Sequence, residues 1–121
     1  MNYREIKPDN PDYLHLRCSG VWDSDSSKLG WQDIADKLKR NGYGKVLLDE
    51  REVEMETSVS IDFRHAGFVA DLLRGICSKV AIIDVAENSE ANAFYETVCV
   101  NRILNLKFFL LEEDAIDWLM E

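Results

Sequence analysis

The chain has 121 residues, of which 23 are acidic and 14 basic, for a formal net charge of −9. That length suits one domain with one core, and the acidic balance repels phosphate backbones and anionic headgroups, which argues against nucleic acid or membrane surfaces as partners. With 46% hydrophobic and 31% charged residues, the chain has the composition of a globular protein that folds without help, and residues 1–121 are expected to form a single domain.

Tyr3 to Ile6 is a short edge-strand candidate, broken off by Lys7-Pro8-Asp9-Asn10-Pro11, where two prolines, an Asp and an Asn favour a turn. From Tyr13 to Cys18 the residues alternate, with Leu14, Leu16 and Cys18 on one side and Tyr13, His15 and Arg17 on the other, the period of a half-buried strand of antiparallel type. Asp23-Ser24-Asp25-Ser26 then offers N-cap oxygens, and Trp31, Ile34, Ala35 and Leu38 recur at helical spacing, which predicts a helix to about Arg40. Asn41-Gly42-Tyr43-Gly44 stops it. The run Lys45-Val46-Leu47-Leu48-Asp49 reads as a continuously buried strand reached by a right-handed crossover.

Glu50 to Glu56 reads as a charged loop, and Thr57-Ser58 as caps of a second helix running to about Ile76. At 100° per residue, Ser60, Arg64, Gly67, Asp71 and Arg74 gather into a polar stripe, while Phe63, Ala66, Phe68, Val69, Ala70, Leu72, Leu73 and Ile76 cover the rest. An apolar arc that wide must bury a second flank, under another helix or in a subunit interface, so a homodimer through the helix at about 58–76 is expected. Lys79 to Val85 is another buried strand, with Asn88-Ser89 as caps of a third helix carrying Ala91, Phe94, Tyr95 and Val98 at helical spacing. Lys107 to Leu111 is the last strand. Glu112, Glu113 and Asp114 open the last helix, where acidic groups complement the dipole, and Ala115, Trp118 and Leu119 face inward, with Trp118 sealing the core.

Cys18, Cys77 and Cys99 are odd in number, form no CxxC pair and lie within apolar patterns, so they read as reduced core residues. No run has signal-peptide character or approaches the roughly 18 apolar residues of a membrane span, and a cytoplasmic location is the expectation.

Three segments in this order resemble the SpoIIAA-like family, relatives of the sulfate-transporter and anti-sigma-factor-antagonist (STAS) domain. They are Leu14-His15-Leu16-Arg17-Cys18-Ser19-Gly20, a strand ending in Gly; Val46-Leu47-Leu48-Asp49, a central strand ending in Asp; and Phe108 to Leu119, a strand, acidic turn and Ala-x-x-Trp-Leu helix. The resemblance spans nearly the whole chain. It implies an α/β fold with a four- or five-stranded mixed sheet and about four packed helices, and a role in protein interaction or small-ligand binding more than catalysis. Classical STAS antagonists carry a phosphorylatable Ser in an Asp-Ser pair after the central strand, and counting from Asp49 puts Thr57-Ser58 there. Thr57 replaces the Asp, and Glu54 and Glu56 crowd the position with negative charge, so an N-cap role for Thr57 or Ser58 is the simpler reading.

Within the second helix, Asp62 and His65 lie one turn apart outside the polar stripe, an acid–base pairing in form, but no nucleophile is tied to them by motif. Two histidines and three scattered cysteines offer no metal-ligand spacing, and no Gly-rich loop opens a helix, so no metal and no cofactor is expected. Trp22, Trp31, Phe63 and Phe68 could line an apolar pocket between helices and sheet. The leading reading is a non-enzymatic cytoplasmic regulatory module with a possible protein partner. A carrier or sensor of a small apolar ligand is the alternative, and an enzyme using Asp62 and His65 comes third.

Overall fold

The apolar runs become the middle of one sheet. The computed structural model describes residues 2–8, 10–56 and 59–121, without the side chains of 59–62. Strands β1 (Asn2–Glu5), β2 (Leu14–Trp22), β3 (Lys45–Met55), β4 (Lys79–Ile83) and β5 (Leu106–Phe109) lie side by side in chain order. β1 runs antiparallel to β2, and β2 to β5 are mutually parallel. The four helices are α1 (Ser24–Asn41), α2 (Val59–Leu73), α3 (Ser89–Asn101) and α4 (Glu112–Leu119), with a 3₁₀ turn at Ala86–Asn88 before α3. This is the mixed α/β sheet with four helices that the resemblance implies.

Alternation along the strands assigns the two faces. Leu14, Leu16 and Cys18 of β2, Val46 and Leu48 of β3 and Val80 and Ile82 of β4 pack with α1, α2 and α3, whose Trp31, Ile34, Val69 and Val98 are buried among them. The alternate residues Leu47, Ala81 and Ile83 pack with Tyr13 and with Ala115 and Leu119 of α4. The start of β2 is therefore buried on both faces: His15, and Tyr13 just before the strand, expected at a solvated face, are covered on the α4 side. Its antiparallel neighbour is the edge strand β1, and its other neighbour is parallel.

The α1 cap forms as its sequence requires. Asp23 Oδ1 accepts the Ser26 N–H at 2.8 Å, Ser26 Oγ accepts the Asp23 N–H at 3.1 Å, and Gly42 ends the helix at φ 71°. Several boundaries differ from expectation, β4 and β5 each stopping two residues early, at Ile83 and Phe109. Residues 50–55, read as a charged loop, continue β3 to Met55, because β2 also runs on through Gly20 to Trp22 and pairs with them. Alternation resumes there, with Val53 packed against the core and Glu52 and Glu54 exposed. α2 stops at Leu73, three residues before the expected Ile76, whose N–H bonds the Leu73 carbonyl in a turn.

The wide apolar arc of α2 finds both flanks inside the chain, packing against α1 and against α3. Ala66, Val69, Ala70 and Leu73 are fully buried. Even the polar stripe contributes, since Gly67 lies under the Arg102 guanidinium from the end of α3, 3.1 Å from where a Cβ would stand. In the closing helix Ala115 and Leu119 are fully buried. Trp118 is half-buried, stacked near Phe109 and beneath the Lys79 ammonium, so it covers the rim of this layer and does not plug it. The three cysteines are buried free thiols, and burial pushes Cys18 above the range in which a thiolate forms. Among the described residues, no helix is long and apolar enough to cross a membrane.

Candidate functional site

Two neighbouring parallel strands carry acids on the helix side of the sheet, just past the point where they stop pairing with each other. Glu50 follows Val46 and Leu48 on that face of β3, and Asp84 follows Val80 and Ile82 one residue beyond β4. They come one step past the paired residues Asp49 and Ile83. The register of β2 against β3 shifts here, from Arg17 opposite Asp49 to Ser19 opposite Glu52, so β3 carries one extra residue at Glu50-Arg51. Such a bulge bends the strand and re-aims its side chains.

Asp84 is 4% exposed and well satisfied. Its Oδ1 accepts the Val85 N–H at 2.7 Å, the Asn88 amide reaches both oxygens at 3.1 and 3.2 Å, and the Asn92 amide donates to Oδ2 at 2.9 Å. Asn88 thus spends its amide on Asp84 and makes no side-chain cap for α3, contrary to expectation. Glu50 is as deeply buried, at 4% exposure. Among the described residues none hydrogen-bonds its carboxyl. Burial first, and the negative charges of Asp84 and Asp49 next, push its pKa up to about 8.

In front of these acids lies a cavity of about 560 Å³, between the sheet and α1, α2 and α3. Trp22, Trp31, Ile82 and Phe108 supply apolar wall, and Ser27, His65, Asn92 and Tyr95 add polar atoms. Met55 and Ala91 line it too and are exposed, so they mark its rim. The Trp22 indole N–H is buried without an acceptor among the described residues. His65 is gripped at both ring nitrogens, with Nε2 2.7 Å from Ser27 Oγ and Nδ1 3.0 Å from the Tyr95 hydroxyl. Burial, and then the charge of Lys28, push its pKa down to about 4, which leaves a weak base at neutral pH.

The residues singled out from sequence divide. Trp22 and Trp31 line the cavity. Phe63 is 48% exposed and stands 6.0 Å from the Phe94 ring, while Phe68 is half-buried against His65 under the Lys28 ammonium, and neither lines the cavity. His65 lines it, with Ser27 and Tyr95 as partners. Thr57, Ser58 and the Asp62 side chain lie outside the described residues. Sequence reasoning misses Ser27, Glu50, Asp84, Asn92 and Tyr95 as site residues. For the two acids a signal exists: each is an acid ending an apolar strand run, at even spacing from core residues. Among the described residues, no group of three His, Cys, Asp or Glu side chains could hold a metal ion.

Sheet order, helix placement and connection together define a SpoIIAA-like fold. A solved structure with which the chain aligns is an uncharacterised protein of the DUF3478 family with a SpoIIAA-like fold, from Shewanella loihica PV-4. The two share 20% identity at a TM-score of 0.60, over 98% of this chain and 92% of that one. No family model and no curated protein matches the sequence.

Proposed function

We propose that the chain, acting as one domain, is a non-enzymatic binding protein, a carrier or sensor of a small molecule with an apolar body. The supporting observation is the cavity of about 560 Å³ walled by Trp22, Trp31, Ile82 and Phe108, a size and lining typical of small-molecule sites. The few polar groups converge from β3, β4, α1, α2 and α3, which suits orientation of a ligand. A catalytic reading draws less support, because His65 at about 4 is poorly matched to proton transfer at neutral pH.

The test is a titration with the neutral dye Nile red, read by its fluorescence and by quenching of Trp22 and Trp31. Saturable binding at one equivalent is expected. Ala91→Trp at the exposed rim should weaken it about tenfold or more with an unchanged melting temperature. Absence of saturable binding would sink the carrier reading.

A protein-interaction role draws on a separate observation. Phe63 and Phe94, exposed at 48% and 41%, stand together on α2 and α3. That patch is where a second copy, or a regulatory partner, would dock on α2, and a monomer by light scattering would remove the homodimer.

A further inference from the structure

Resting on the binding reading above, we infer that the cavity takes an organic cation, an alkylammonium whose charge sits against Glu50 and Asp84 and whose apolar body lies along Trp22, Trp31 and Phe108.

β3 brings Glu50, β4 leads into Asp84, and β2 brings the buried, neutral thiol of Cys18 near Glu50. α2 brings His65, held neutral by its burial, and α1, the 3₁₀ turn and α3 bring Ser27, Asn88, Asn92 and Tyr95, none of them charged. Thus no cation of the chain lines the cavity among the described residues. Lys28, the cation that bears on His65, is 5.6 Å above the Phe68 ring instead.

A carboxyl buried without a partner is costly, and chains rarely keep one unless something else completes it. Asp84 has its oxygens filled by Asn88, Asn92 and the Val85 N–H, all donors, as an acceptor-only carboxylate requires. Glu50, beside it, has no donor and no counter-charge among the described residues. A group that pairs with the ionised form of Glu50 therefore carries donors and positive charge. A divalent metal would need more ligands than two carboxylates, and no third His, Cys, Asp or Glu joins them among the described residues. An alkylammonium needs only what is present: a carboxylate for its N–H donors and aromatic walls, two of them indoles, that attract a cation and cover a hydrocarbon. A fatty acid, the obvious alternative for so apolar a cavity, would set a third carboxylate beside Glu50 and Asp84.

Binding has a proton balance. With its pKa near 8, Glu50 is mostly protonated at neutral pH before binding. Entry of an already protonated amine turns Glu50–COOH into Glu50–COO⁻ paired with the ammonium, and the carboxyl proton leaves to solvent. No covalent bond to the ligand forms or breaks.

The experiment compares octylamine, octanol and octanoate by calorimetry on the full chain at neutral pH, in two buffers of different ionisation enthalpy. The expected order is amine, alcohol, carboxylate, with the amine bound about tenfold or more tighter than the alcohol and close to one proton released per amine. Glu50→Gln should bring the amine down to the alcohol's affinity while leaving the alcohol unchanged. Asp84→Asn should weaken the amine selectively, and serves if Glu50→Gln does not fold. Octanoate binding as tightly as octylamine, or amine binding without proton release, would overturn the cation assignment while leaving the cavity reading in place. Failure of all three to bind would overturn both.

Discussion

Where its pairing with β4 stops, β3 presents two adjacent acids to opposite faces of the sheet, and the chain treats them differently. On the α4 face, Asp49 is 3% exposed, yet Arg51 clasps both its oxygens at 2.9 and 2.7 Å and Arg17 stands 3.5 Å away. Burial alone would raise its pKa, but those hydrogen bonds and charges hold it below the usual range. On the helix face, Glu50 is equally buried and is pushed up to about 8, with acids as its charged neighbours. One residue of separation thus divides an acid completed by its own chain from an acid left for something else. The same division holds in packing, since the α4 face closes on Ala115 and Leu119 and the helix face encloses a cavity.

Removing the charge from each acid should have opposite effects. Glu50 has a folded pKa well above its unfolded value of 4.5, so its contribution is fully present below about 4.5 and is lost as pH rises toward 8. Its charged neighbours are Asp84 and Asp49, the Cys18 thiol near it stays neutral, and His65 shifts the other way, losing stability as pH falls from 6.5 toward 4. Comparison with Glu50→Gln cancels His65. The variant should gain on wild type between pH 5 and pH 8 by roughly 3 kcal/mol, because each pH unit between the unfolded and folded pKa is worth about 1.4 kcal/mol, measured as the difference in urea midpoints. A flat difference would mean that Glu50 has a counter-charge. Asp49→Asn should instead destabilise at pH 7 by about 2 kcal/mol, less than a fully buried pair because Arg17 and Arg51 can rehydrate. Its effect should vanish below the Asp49 pKa, where wild type is protonated as well.

The sheet and its helices are legible in the sequence because their signals are local. Alternation in β2, the capping run before α1 and the apolar runs of β3 and β4 each act within a few residues. What escapes is set by pairing across the sheet. Glu52 and Glu54 look like loop residues until β2, carried on to Trp22, supplies a partner strand, and the bulge at Glu50-Arg51 is visible only in that register. The wide apolar arc of α2 implies a covered second flank, but not that α1 and α3 together cover it. At the site, Trp22 and Trp31 can be picked as cavity walls from their apolar character. Ser27 and Tyr95 meet His65 across 38 and 30 residues of chain, and no spacing rule connects them. Glu50 and Asp84 pass for surface charge, because an acid at the end of an apolar run looks solvated until its lid is known.

A smaller effect follows from adding bulk to each face in turn. Ala115 is fully buried, packed among Tyr13, Leu47, Ala81, Ile83 and Leu119. Ala115→Leu should cost about 1–3 kcal/mol, the usual penalty of overpacking a closed layer. Ala91 is exposed at the cavity rim, where a larger side chain meets open space and not packed atoms. Ala91→Leu should change stability by less than about 0.5 kcal/mol, the range of surface substitutions, because neither packing nor a hydrogen bond is disturbed. Equal penalties at the two positions, in matched denaturation curves, would mean that the helix face closes as tightly as the α4 face and has no room for a ligand.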